Sequence, residues 1–237
     1  MFLLIFALVL TAGAGQTAGR TQTPPKRVEV FDGKTFAGWE GDLAIFRIQD
    51  GAIVGGSLER KVARNEFLCT TKTYGDFELR LKVKLLGGDG ANAGIQFRTR
   101  RIPNHHEVSG YQADMGTGWW GALYDESRRN KVLKGPDQEK MKSVIRVDDW
   151  NDYAIRAEGR RIQMWVNGVQ TVDYIEEDPN IGTTGVIAVQ IHGGPPSEAW
   201  YKDITLLDLS SKYSSTSLCC ELSLDVPRSP DSTSAAP

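Results

Sequence analysis

The sequence predicts an all-β sandwich spanning residues 28–209, and three observations carry that prediction. The first is alternation. From Asp76 to Leu85, Phe77, Leu79, Leu81, Val83 and Leu85 take one face, while Glu78, Arg80, Lys82 and Lys84 take the other. A period of two over this length is a strand with one buried and one wet face. The second is a pair of hairpins. Residues 153–157 run through Glu158-Gly159-Arg160 into residues 162–166, and Asn167-Gly168 then turns the chain into residues 169–172. Asn-Gly is the pair that best adopts the two positive φ angles of a type I′ turn. The third is the lack of any sustained helical period, with room for one short turn around residues 135–143. Many strands joined by tight turns, without helices, make a sandwich or a barrel. The length of 237 residues suits one large domain of this class.

The flanks read differently. Residues 1–10 (MFLLIFALVL) are apolar but too short to span a bilayer, and Ala12-x-Ala14 follows with the small residues a signal peptidase accepts. The expectation is a signal peptide over residues 1–15 and export to the periplasm, the cell surface or the medium, with no membrane span. Residues 16–27, with Pro24-Pro25, read as a linker. Residues 210–237 are rich in Ser, Thr and Pro and are expected to be disordered, because such a composition buries too little apolar area to offset chain entropy. Three cysteines do not make a disulfide framework. Cys69 lies in a strand-like run as a lone buried thiol, and adjacent Cys219 and Cys220 pair with each other only under strain.

Charge narrows the partners. Lys and Arg number 28 against 30 Asp and Glu, a formal net charge of -2. That balance supplies no field to attract nucleic acid or an anionic membrane surface. Alternation then gathers polar groups on one sheet face. Gln96 and Arg98 lie opposite Ile95 and Phe97. Gln112 and Asp114 share a face, and Gln190 and His192 lie opposite Ile187, Val189 and Ile191. If these strands are neighbours, a single concave face carries Arg98, Gln112, Asp114, Gln190 and His192. Amides, a guanidinium, a carboxylate and an imidazole together can bind hydroxyls and move a proton. Taken singly they have plainer readings: Arg98 with Asp114 as an exposed ion pair, Gln190 as solvated surface, His192 as an ordinary strand-end histidine.

A second cluster, residues 119–126 (WWGALYDE), offers aromatic rings for the C–H face of a pyranose, with Tyr124 and Asp125 for its hydroxyls. Of its two tryptophans, one is expected to pack in the core. His105-His106-Glu107 contains metal-type ligands, but adjacent ligands on a loop are awkward and no spaced partner is evident. There is no Gly-rich phosphate loop and no G-x-S-x-G elbow. The segment Gln112-Ala113-Asp114 holds one acid where a retaining glycosidase needs two, about 5–5.5 Å apart.

These motifs resemble a known family. Phe31-Asp32-Gly33-Lys34 with Gly38-Trp39, Tyr74-Gly75-Asp76-Phe77, Gly94-Ile95-Gln96-Phe97-Arg98, Gly110-Tyr111-Gln112, Gly121-Ala122-Leu123-Tyr124, Trp150-Asn151-Asp152-Tyr153, Val166-Asn167-Gly168 and Gln190-Ile191-His192 are similar, in order, to those of the 3-keto-disaccharide hydrolase domain. That domain is also described as 3-keto-glucoside 1,2-lyase and 3-keto-2-hydroxy-glucal hydratase. The resemblance implies a concanavalin-like jelly roll and a 3-keto-glycoside as substrate. The C3 ketone acidifies the C2 proton; a base removes it, the C1 substituent is expelled, and water adds back. In this scheme His192 is the base, Asp114 its orienter or alternate, and Arg98 the oxyanion partner. Gln112, Tyr124, Gln190, Trp120, Tyr111 and Asp125 are the substrate-binding candidates. No cofactor is assigned; the scheme leaves room for a divalent cation at the oxyanion. Gln112 stands where the family commonly has Glu. That substitution keeps a second reading open: a non-catalytic carbohydrate-binding module of the same shape.

Overall fold

The computed structural model describes residues 26–210. The expected signal peptide, most of the linker and the tail from residue 211, with Cys219 and Cys220, lie outside the described residues. Within them the strands run, in chain order, β1 (Arg27–Glu29), β2 (Trp39–Glu40), β3 (Phe46–Gln49), β4 (Ala52–Ser57) and β5 (Glu66–Thr70). Next come β6 (Phe77–Leu86), β7 (Asn92–Arg101), β8 (Val108–Gly116), β9 (Leu123–Glu126) and β10 (Lys131–Lys134). The last five are β11 (Asn151–Glu158), β12 (Arg161–Val166), β13 (Val169–Ile175), β14 (Val186–Ile191) and β15 (Ser197–Asp208). One short helix, α1 (Gln138–Met141), falls inside the window the sequence allowed for a turn, and Asp137 caps it by accepting from Glu139 N.

The strands form two antiparallel sheets. One is ordered β13-β12-β11-β6-β15-β4-β3, with β1 added beside β15; the other is ordered β10-β9-β8-β7-β14-β5-β2. The alternation read along residues 76–85 is realised in β6. Phe77, Leu79, Leu81 and Val83 face inward and meet Ile95, Phe97, Ala113, Met115, Ile187 and Val189 of the second sheet in one core cluster. At roughly 1.5–3 kcal/mol per fully buried large apolar side chain, this layer is the main source of stability. Asn167 and Gly168 take φ angles of 48° and 82°, the paired positive values expected of the β12–β13 turn.

One departure from regular pairing decides where the site lies. The β7–β8 register shifts between Phe97 and Arg100, and Arg98 has a φ of 47°. This is a β-bulge, and a bulge re-aims the side chain at its centre. Alternation alone would put Arg98 on the face of Gln96; the bulge turns it away. Its guanidinium donates to the carbonyls of Gly75 and Gly159, at 3.0 and 2.6 Å, and pairs with Asp76 at 2.9 Å. Arg98 therefore ties the β7 bulge to the β5–β6 and β11–β12 turns.

Candidate functional site

The outer face of the second sheet holds a cleft of about 330 Å3, lined by Asn65, Gln112, Asp114, Trp119, Tyr124, Glu126 and His192 among others. Its floor comes from β8, where Gln112 and Asp114 alternate with the core residues Tyr111, Ala113 and Met115. Gln96 of β7 and Gln190 of β14 share this face, both fully buried. The amides form a chain. Gln96 Nε2 donates to Gln112 Oε1, and Gln112 Nε2 donates to Asp114 Oδ1. Asp114 Oδ2, Gln96 Oε1 and both amide atoms of Gln190 have no hydrogen-bond partner among the described residues.

The floor is held from beneath. Tyr153 of β11 and Tyr201 of β15 reach across the core, and their hydroxyls donate to the backbone carbonyls of Asp114 and Gln190, each at 2.5 Å. Gly94 of β7 leaves the space that Gln112 occupies: a Cβ there would sit 2.6 Å from Gln112 Cδ. Gly94→Ala is accordingly expected to displace Gln112 and break its bond to Asp114. Overpacking of this kind costs about 1–3 kcal/mol. Thermal melts should show a modest loss, with a much larger loss of ligand affinity by calorimetry.

Electrostatics single out two carboxyls. Asp114 is 2 % exposed, and burial pushes its carboxyl up to about 8; the Glu126 charge adds to this and the Gln112 hydrogen bond opposes it. Because Oδ1 accepts from Gln112, the proton of the neutral acid belongs on unpartnered Oδ2. Glu126 is pushed up to about 7, first by burial and then by the charge of Glu107. The Gln190 amide lies near enough to favour the Glu126 anion slightly, without completing a hydrogen bond. Among the described residues, no Lys or Arg lines this cleft.

His192 sits just beyond β14. Its backbone N–H donates to Asn92 O, and Asn65 Oδ1 accepts from Gly193 N–H, so the loop is held on both sides. His192 Nδ1 lies 2.7 Å from Gly193 O and must donate to it, which leaves the lone pair of the neutral ring on Nε2. Trp119 is 42 % exposed at the rim, edge-on to Tyr124.

The structure thus brings together His192, Asp114, Gln112, Tyr124 and Gln190 and separates the other four residues named from the sequence. Arg98 is turned away by the bulge. Tyr111 faces the core, stacked on Phe97 at 5.7 Å, its hydroxyl donating to Glu176 at 2.6 Å. Asp125 is fully buried on the opposite side of β9, clamped by Arg128 and Arg129. Trp120 is the tryptophan that packs inward, against Tyr153 at 6.4 Å, and Trp119 lines the cleft in its place. Sequence reasoning missed Glu126, Asn65 and Trp119 as cleft residues. The signal for Glu126 was present, since in Leu123-Tyr124-Asp125-Glu126 the face opposite apolar Leu123 carries Tyr124 and Glu126.

The His105-His106-Glu107 segment is engaged locally, with His106 Nδ1 against Asn65 O and Glu107 accepting from Asn65 Nδ2. Among the described residues no group of three or more His, Cys, Asp or Glu is arranged to hold a metal ion. A larger depression of about 700 Å3 lies on the outer face of the first sheet, but its charged walls are already paired, Lys82 with Asp152 and Arg80 with Glu78.

A family model described as 3-keto-alpha-glucoside-1,2-lyase-like domain matches residues 26–207. The chain belongs to that family. No functionally curated protein matches it. Solved structures share the fold of this lyase-like domain at low identity. A proposed glycosyl hydrolase from Parabacteroides distasonis ATCC 8503 is 19 % identical over 77 % of this chain and 94 % of its own, with a TM-score of 0.58. A carbohydrate binding module from Bacillus subtilis is 14 % identical over 72 % and 96 %, with a TM-score of 0.57. A β-1,3-1,4-glucanase from a mouse hindgut metagenome is 12 % identical over 78 % and 99 %, with a TM-score of 0.50. The lyase-like domain is therefore a jelly-roll sandwich of a carbohydrate-active family, and no helix among its described residues is long and apolar enough to cross a membrane.

Proposed function

We propose that this domain acts on 3-keto-glycosides, removing the proton at C2 and expelling the substituent at C1. The observation that carries the reading is the unsatisfied floor. Six buried side-chain polar atoms among the described residues lack a partner, and four of them are Gln96 Oε1, Asp114 Oδ2 and the two amide atoms of Gln190. Leaving such atoms unpaired costs about 1–3 kcal/mol each. A polyhydroxylated ring, with the water it brings, supplies the missing donors and acceptors.

In this reading His192 Nε2 takes the C2 proton. The electron pair moves toward the C3 carbonyl oxygen, and the neutral Asp114 carboxyl donates its Oδ2 proton as a hydrogen bond to the developing enolate. A buried acid held neutral is an effective oxyanion donor, because it stabilises charge without carrying one. It also supplies what Arg98 was expected to supply. Gln112, Gln190 and Tyr124 hold hydroxyls, and Trp119 offers a ring face at the rim. The two concave carboxyls do not form a retaining-glycosidase pair: Asp114 lies opposite Ala122 and Glu126 opposite Gly110, on neighbouring strands but out of register.

The test is incubation of methyl 3-keto-glucoside with the protein in D2O, followed by mass spectrometry. Deuterium at C2 and release of methanol are expected, both lost in His192→Ala. Binding of an unoxidised glycan with neither exchange nor product would instead establish the binding-module reading.

A further inference from the structure

We infer that Glu126 is the group that protonates the departing glycosidic oxygen, an assignment that rests on the elimination reading above. The alternation of β9 turns Leu123 and Asp125 inward and Tyr124 and Glu126 onto the concave face. Asp125 is held by two arginines, whereas Glu126 makes no ion pair among the described residues and lines the same cleft as Asp114 and His192. It reaches far enough over the floor to sense both the Gln190 amide and the Asp114 carboxyl. Three ionisable groups of different character therefore face one ligand. His192 carries a free ring nitrogen, Asp114 is fixed by the amide chain, and Glu126 is held by no arginine or lysine, only the Gln190 amide and the Ser127 backbone lying close enough to favour its anion.

The chemistry needs a third group. Expelling a sugar or methoxide from C1 as a free alkoxide means releasing a strong base, and a positioned acid is what makes that departure fast. Asp114 cannot serve both purposes, because its proton is engaged at the C3 oxygen while the C1–O bond breaks. Burial and the neighbouring Glu107 charge favour the protonated form of Glu126, and no Lys or Arg among the described residues lines the cleft to withdraw that proton.

The C2–H pair forms the enolate, and His192 becomes imidazolium. The enolate pair then makes the C1=C2 bond as C3=O re-forms, the C1–O pair leaves on oxygen, and Glu126 delivers its proton there, releasing a neutral alcohol. The Glu126 carboxylate next takes a proton from the water whose oxygen adds to C1, and the imidazolium returns its proton to C2. Both groups end as they began.

Leaving-group dependence tests this. Methyl 3-keto-glucoside needs protonation of its leaving group; 4-nitrophenyl 3-keto-glucoside does not, because nitrophenolate departs as a stable anion. Glu126→Gln is expected to lower kcat for the methyl substrate about 10²–10⁴-fold, while kcat for the nitrophenyl substrate stays within about tenfold. Exchange of C2 hydrogen for deuterium should persist in the variant, which also shows that its cleft is intact. Equal losses on both substrates, or no loss on either, would overturn the assignment. If the unaltered protein neither exchanges C2 nor releases nitrophenol, it is the elimination reading itself that fails, and this assignment with it.

Discussion

Asp114→Ala is expected to lower kcat/KM for a 3-keto-glucoside by about 10²–10³-fold, the usual effect of deleting one oxyanion donor, while Asp114→Asn retains activity within about tenfold. The reason is the hydrogen-bond pattern. Gln112 Nε2 donates to Oδ1, so the partner-free Oδ2 carries the proton in the neutral acid, and an asparagine can reproduce both roles with its carbonyl and amide. The pH profile separates this from a role as base. With the carboxyl pushed up to about 8, activity should fall as pH rises through that value, since an ionised Asp114 repels the enolate; Asn should abolish that limb. A rate that instead rises through pH 8, with an inactive Asn variant, would make Asp114 the base.

Stability has a matching sign. The folded-state pKa is raised above the unfolded value of 3.8, so the native state binds the proton more tightly. The stabilisation from this proton is complete below about pH 4 and is lost progressively as pH rises to about 8. Asp114→Asn, which has no proton to lose, should therefore gain thermal stability relative to the parent between these pH values, most strongly at the alkaline end.

The second large effect is on folding. Arg98→Ala should destabilise the domain by about 3–5 kcal/mol, because it leaves Asp76 and two turn carbonyls without their buried partner. The Arg98 side chain is 2 % exposed and Asp76 19 %, so solvent compensates poorly. Urea unfolding should show the loss, whereas kcat at a permissive temperature should change little. A variant with parental stability and no turnover would return Arg98 to the chemistry.

Much of the site was legible along the chain. Gln112, Asp114 and Gln190 follow from alternation within strands whose other face is plainly apolar, and His192 follows from the register of β14. Tyr124 and Glu126 are readable by the same rule, which puts Asp125 with Leu123 on the buried face. Arg98 was different in kind. Gly94-Ile95-Gln96-Phe97-Arg98 alternates without fault, and no residue in it announces the bulge, which is set by pairing with β8 and by the Asp76 and Gly159 partners that only the folded chain brings near.

What this sequence determined by itself was the fold class, the family and the core face of strands with plain alternation, such as β6 and β14, because these are written in local periodicity and in motifs that survive without neighbours. Only the tertiary structure decided which polar residues meet. Strand order put β9, β8, β7 and β14 side by side, so that residues from Gln96 to His192 could share one cleft. Burial decided the rest. A carboxyl at position 114 is an ordinary acid in an open chain; it becomes a proton donor near neutrality only where desolvation outweighs the one hydrogen bond that would keep it ionised.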